Sequence, residues 1–70
     1  MFITIAVIAY NEENTIGEIL NDISMQDYDH DSMEVILVDS ASTDNTRLVM
    51  EKFARENTMG AADIRVLDNP

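Results

Sequence analysis

Cysteine is absent from this chain, so neither disulfides nor a thiolate-held metal can supplement its core. Glycine occurs only twice, at Gly17 and Gly60, and no G-x-G-x-x-G or G-x-x-x-x-G-K-S/T loop can be written. The first turn therefore lacks a backbone shaped to approach a pyrophosphate, which argues against dinucleotide binding. Basic residues are scarce: four stand against fourteen acids, for a net charge of -10. That balance disfavours nucleic-acid polymers as partners. A small phosphorylated ligand stays open, because a divalent metal can bridge it to carboxylates. The apolar opening, Phe2 to Ala9, is too short to span a bilayer and has no basic flank, so no membrane segment is predicted. No repeat, low-complexity run or linker interrupts the 70 residues, which read as one small domain over 1–70. At this size only about 60% of the unfolded surface can be buried, so a self-sufficient core is marginal.

What is present centres on Val35-Ile36-Leu37-Val38-Asp39-Ser40-Ala41-Ser42-Thr43-Asp44. Four apolar residues meet an acid, then the chain turns small and polar. A buried parallel strand reads this way when it ends at a binding edge and hands over to a helix. Phe2 to Ile8 is β-rich and apolar at almost every position, as expected of a strand covered on both faces. Ile16, Ile19, Leu20 and Ile23 have the spacing of one helical face, with Thr15-x-x-Glu18 at capping-box spacing and Asn11 or Asn14 as alternative caps. Gly17 in that first turn suggests close helix–strand packing. A second helix is expected with Ser42 or Thr43 as cap, Asp44 in its first turn, and Thr46, Val49, Met50 and Phe53 facing inward. Ala62 to Asp68 closes as a third, more polar strand. The order is β-α-β-α-β. With right-handed crossovers, and if the chain winds in one direction, this is half of a doubly wound, mostly parallel, Rossmann-like α/β sheet of order 3-2-1, with both helices on one face.

Ligands in such sheets sit beyond the carboxyl ends of the strands. There Ala9, Tyr10, Asn11 and Glu12 approach Asp39, Ser40 and Ser42. A carboxylate at that edge can accept hydrogen bonds from a ribose or a base imide, and Tyr10 could stack on a base. Asp39 could equally cap the turn before the second helix; the pattern leaves both readings open. Glu13 reads as a solvated first-turn acid, Asp44 as a helix-start acid, and Ser40 and Ser42 as ordinary turn residues. His30, in an acidic loop at the opposite end of the strands, reads as a surface residue. Met25, Met33, Met50 and Met59 read as packing residues.

Three segments together resemble the start of a family 2 glycosyltransferase: Ile5-Ala6-Val7-Ile8-Ala9-Tyr10-Asn11-Glu12-Glu13, Thr15-Ile16-Gly17-Glu18, and Val38-Asp39-Ser40-Ala41-Ser42-Thr43-Asp44-Asn45-Thr46. Ile64 to Pro70 is similar to the family's third strand and following turn. Three positions depart from the usual pattern: Ile8 where many relatives carry proline, Ser40 where many carry aspartate, and Ala41 where glycine is usual.

The resemblance implies the N-terminal part of a glycosyltransferase A fold, which transfers a sugar from a nucleotide-activated donor to an acceptor hydroxyl. By that resemblance Ala9, Tyr10 and Glu12 match the nucleotide-contacting loop, and Asp39 matches the acid that reads the base. No catalytic or metal-binding residue is expected here, since the family's D-x-D motif and base come later. Asp27-Tyr28-Asp29 and Asp29-His30-Asp31 match those letters at the wrong end of the strands. A divalent metal, Mg or Mn, is expected only in a complete enzyme, and the 70 residues alone are expected to be inactive. Further implied expectations are a UDP-sugar donor, a role in polysaccharide or cell-envelope synthesis, and a cytoplasmic location or one at the cytoplasmic membrane face. A homodimer, or continuation in a longer chain, should cover the second sheet face. The rival readings are a non-catalytic nucleotide-binding module and a structural or assembly fragment.

Overall fold

A computed structural model describes residues 2–26 and 29–69. Three strands, β1 (Ile3–Ala9), β2 (Met33–Asp39) and β3 (Asp63–Asp68), form one parallel sheet in the order β1-β2-β3. The expected 3-2-1 arrangement is thus present. Helix α1 (Glu13–Ser24) and a short 3₁₀ turn (His30–Ser32) connect the first two strands, and α2 (Thr46–Glu56) connects the last two.

The β-branched runs set the strands, and their alternation sets the faces. On β2, Met33, Val35, Leu37 and Asp39 are buried, while Glu34, Ile36 and Val38 are half-buried. Met33, Val35 and Leu37 pack with Ile16, Leu20 and Ile23 of α1 and Met50 of α2, so both helices cover the same face. Full burial of one such aliphatic side chain contributes about 1.5–3 kcal/mol, so this one-sided cluster is the main source of stability. Ile5, Val7, Val49, Phe53, Ile64 and Val66 complete it at lower burial.

The opposite face is uncovered among the described residues. Strand register sets Ile8, Val38 and Leu67 in one cross-strand row, with Ile8 70% and Leu67 46% exposed. One row further back lies Ala6-Ile36-Arg65, and behind it Thr4-Glu34-Asp63. The polar members are tied together. Thr4 Oγ1 donates to Glu34 at 2.8 Å, and Arg65 reaches Glu34 at 3.5 Å and Asp63 at 3.1 Å. The first strand is therefore apolar on both sides, as its sequence reads, but buried on only one.

Several local expectations are corrected. Helix α1 begins at Glu13, two residues before the Thr15 capping box, and Glu12 and Asn45 hold the two N-cap positions without side-chain caps. Gly17 has nothing within 4 Å of where a Cβ would stand, so close packing is not its role. Ile19 is 38% and Met25 73% exposed, so neither is a core residue, unlike Met33 and Met50. His30 is half-buried: its Nδ1 lies 2.7 Å from the Met59 carbonyl and its Nε2 3.2 Å from that of Gln26. It ties the 3₁₀ turn to the loop before β3. At the end of α2, Asn57 takes a left-handed conformation (φ 39°). Its side-chain amide closes on both the N–H and carbonyl of Ala61 at 2.9 Å.

Candidate functional site

Parallel pairing brings the carboxyl ends of the strands to one edge, with Ala9, Asp39 and Asp68 in register. The edge is sealed along its backbone. Ser40 N–H donates to the Ala9 carbonyl, and Asn69 N–H to that of Asp39, both at 2.9 Å. Asp39 is only 4% exposed, and its Oδ1 accepts the Ser42 N–H at 3.3 Å. Of the two roles open to Asp39, the turn-capping contact is therefore present. Tyr10 stands out from the edge at 57% exposure. Glu12 is exposed, and its Oε2 accepts the Thr15 hydroxyl at 2.6 Å, which turns that carboxylate back over the first turn of α1. The structure thus places Ala9 and Asp39 side by side and Tyr10 and Glu12 in the adjoining loop. No hydrogen bond joins the Glu12 and Asp39 side chains among the described residues.

The two loops are held together by residues that local sequence patterns assigned to separate helix starts. Three consecutive amides of the first loop donate to side chains of the second. Asn11 N–H reaches Ser42 Oγ at 2.9 Å, Glu12 N–H reaches Thr46 Oγ1 at 2.8 Å, and Glu13 N–H reaches Asp44 Oδ2 at 3.2 Å. The second loop returns the contact. Thr43 N–H donates to Asn11 Oδ1 at 2.8 Å and Asn45 N–H to Glu13 Oε1 at 3.3 Å. Asn45 Nδ2 also reaches Glu13 Oε2 at 3.0 Å.

Each helix N-terminus is thus served partly by an acid from the other loop. Glu13 is not simply solvated, and Asp44 is more than a local helix-start acid. Asp44 Oδ1 also accepts the Thr46 N–H at 2.9 Å and the Thr46 hydroxyl at 2.5 Å. The Thr46 hydroxyl, helped by the amides of Thr46 and Glu13, holds the Asp44 carboxyl below its ordinary value of 3.8 against the opposing effect of desolvation.

Two residues of these loops have left-handed backbones, Asn11 (φ 50°) and Ala41 (φ 56°). Asparagine tolerates that conformation; alanine is strained in it. This explains why glycine suits position 41. Beyond the interlock, Arg47 of α2 pairs with Asp68 at the end of β3 and lies 3.6 Å from Glu51.

No group of three or more His, Asp or Glu side chains that could hold a metal is formed among the described residues. The described residues do not fit a metal centre. Of the two D-x-D matches, Asp27 and Tyr28 lie outside the described residues. Asp29 caps the 3₁₀ turn by accepting the Asp31 N–H at 3.2 Å, at the strand end opposite Asp39. The described residues enclose no pocket, so the candidate site is an open, acidic ledge.

A parallel β-α-β-α-β sheet with both helices on one face is half of a doubly wound, Rossmann-like α/β fold, and its strand ends carry an acid-bearing ledge. Residues 4–70 match the model of glycosyl transferase family 2, and the chain belongs to that family. Among curated proteins it is similar to the poly(ribitol-phosphate) beta-N-acetylglucosaminyltransferase TarS of Staphylococcus aureus, strains Mu50 and MW2. Identity is 40% over 53 residues, covering 76% of this chain. The chain spans 9% of the length of these relatives.

Among solved structures it resembles the mannosyltransferase PcManGT from Pyrobaculum calidifontis in complex with GDP-Man and Mn2+. That match has a TM-score of 0.82 and 36% identity, over 94% of this chain and 19% of that one. It also resembles residues 1–349 of S. aureus TarS, with a TM-score of 0.79 and 32% identity, over 97% of this chain and 19% of that one. The fold is that of the glycosyltransferase A neighbours. No helix among the described residues is long and apolar enough to cross a membrane.

Proposed function

We propose that residues 1–70 form the N-terminal, nucleotide-sugar-binding portion of a glycosyltransferase, in which Ala9, Tyr10, Glu12 and Asp39 contact the nucleoside of the donor. The observation that carries this reading is the register of Ala9 with Asp39 at the carboxyl end of the sheet, beside the exposed ring of Tyr10. Family membership supports it, as does the likeness to a mannosyltransferase solved with GDP-Man and Mn2+.

The chemistry assigned to each residue is simple. Ala9 leaves room for a base against the edge, and Tyr10 offers an aromatic face for stacking. Asp39 accepts an N–H from the base. One lone pair of one oxygen is enough for that bond, so slight exposure of Asp39 suffices. Glu12, released from Thr15, accepts from the ribose hydroxyls. A buried carboxylate favours uracil, whose imide N–H it accepts, over adenine, whose exocyclic amino donor stands beside a ring nitrogen that sets its lone pair against the carboxylate. Guanine shares the donor edge.

In this reading the donor is a UDP-sugar, and the acceptor hydroxyl belongs to a cell-envelope polysaccharide or related polymer, as the TarS relatives suggest. Transfer takes place on the cytoplasmic side of the membrane. Mg or Mn and the catalytic base come from residues outside this stretch, and the 70 residues alone do not transfer sugar. Cover for the open sheet face comes from further chain or a second copy. Sedimentation of the 70 residues should show concentration-dependent association, and a monomer at every concentration would refute that part.

Calorimetric titration with uridine, guanosine and adenosine diphosphates tests the binding claim. Selective binding of the uridine nucleotide over the adenine one, abolished by Asp39→Ala, is expected. Equal affinity for all three, or selectivity that survives Asp39→Ala, contradicts the assignment.

A further inference from the structure

We infer that Asn11 and Ser42 are positioning residues of the nucleoside site, fixing Tyr10 and Glu12 relative to Asp39. The inference rests on the function proposed above and adds to it two residues that local sequence patterns offered only as helix-cap candidates, Ser42 also as an ordinary turn residue. Ser42 is the joint. Its N–H donates to Asp39 Oδ1 at 3.3 Å, while its Oγ accepts the Asn11 N–H at 2.9 Å. Asn11 closes the link from the other side. Its Oδ1 accepts the Thr43 N–H at 2.8 Å and the Thr43 hydroxyl at 3.4 Å, from a left-handed backbone that turns the chain there. Tyr10 and Glu12 flank Asn11 in sequence, so fixing its backbone and side chain fixes the peptide planes on both sides.

The same bonds determine how this ledge can work. The amides of Asn11, Glu12 and Glu13 are all donated to side chains of the second loop. They are not free to cradle a phosphate, as helix N-terminal amides do in glycine-rich nucleotide loops. The first loop therefore acts by shape, presenting the Tyr10 ring and, once it leaves Thr15, the Glu12 carboxylate from a backbone ordered before the ligand arrives. Preorganisation of this kind raises affinity by removing the ordering cost of binding.

Two substitutions in the full-length protein test this. Asn11→Gly keeps the left-handed backbone and removes the side-chain clasp. Ser42→Ala removes Oγ and leaves the N–H on Asp39. Each should weaken uridine diphosphate binding roughly three- to tenfold, the worth of one hydrogen bond in a positioned network. The binding stoichiometry should stay unchanged. Because both act on one link, the double variant should lose less than the product of the single losses.

A merely structural role would instead lower the melting temperature and the stoichiometry, while the folded fraction kept its wild-type Kd. Single variants whose Kd stays within about twofold of wild type, below the effect expected for one lost hydrogen bond, overturn the inference while leaving the nucleoside site standing. Wild-type protein that binds no nucleotide, or binding that ignores Asp39→Ala, overturns the function on which the inference rests.

Discussion

Replacing Thr46 by valine should reveal how much of the fold depends on the interlock of the two loops. Thr46 is fully buried at the first position of α2. Valine matches its shape and has similar helix propensity, so packing and backbone preference change little. What disappears is the hydroxyl, which donates to Asp44 Oδ1 at 2.5 Å and accepts the Glu12 N–H at 2.8 Å. Loss of this bifunctional group also leaves the partly buried Glu12 amide without its acceptor. We expect a destabilisation of about 2–3 kcal/mol. For a chain of 70 residues the whole stability is on the order of 4–10 kcal/mol, so the loss is a substantial fraction. Urea unfolding should show the midpoint falling by about 2–3 M at a slope near 1 kcal/mol per M. Amide exchange at Glu12 should accelerate well beyond that of the β2 amides. Thr46→Ser, which keeps the hydroxyl and loses one buried methyl, should cost only about 1 kcal/mol. A valine variant as stable as the serine variant would refute the claim that the hydroxyl joins the loops.

Glycine positions give two expectations of opposite direction. Gly17→Ala lies in α1 with open space around the new Cβ, so it should stabilise by up to about 1 kcal/mol in thermal unfolding; a loss of stability would show hidden crowding. Ala41→Gly relieves a φ of 56° and should stabilise by about 0.5–1 kcal/mol despite the added chain entropy; no gain would mean that the left-handed turn is not strained. The Asp44 carboxyl is held below 3.8 in the folded state, so the unfolded chain binds the proton more readily. Its contribution is present above about pH 4 and is lost as pH falls through the folded value. Asp44→Asn should remove that part of the acid sensitivity, and an unchanged acid-unfolding curve in the variant would refute the assignment.

The architecture was legible because its signals are local and repeated. Runs such as Phe2–Ile8 and Val35–Val38 commit to strands, and the spacing of Ile16, Leu20 and Ile23 commits one helical face to the core. Parallel order then placed Ala9 beside Asp39 without further information. The helix starts depart from the local capping pattern for a physical reason. A capping box is a contact within four residues, whereas the acceptors of Asn11, Glu12 and Glu13 come from 31 to 34 residues away. One signal could have pointed to them: Ser42-Thr43-Asp44-Asn45-Thr46 offers more short polar side chains than a single helix start can use. Gly17 looked like a packing glycine because only the neighbouring backbone, not the sequence, shows that its surroundings are open. The pairing of Arg47 with Asp68 was invisible for the same reason, since it joins a helix to a strand laid down later. As an exposed pair it contributes only about 0–1 kcal/mol.

The central claim is that a nucleoside lies on the ledge formed by the ends of β1 and β2. Amide chemical-shift mapping during titration with uridine diphosphate tests it most directly. The account predicts the largest shifts at Ala9, Tyr10, Asn11, Glu12 and Asp39 to Ser42, with no comparable change at Asp29 to Ser32 or at Gly60 to Ala62, at the opposite end of the sheet. Shifts concentrated at that opposite end, or on the open face around Ile36 and Arg65 with the ledge silent, would contradict it.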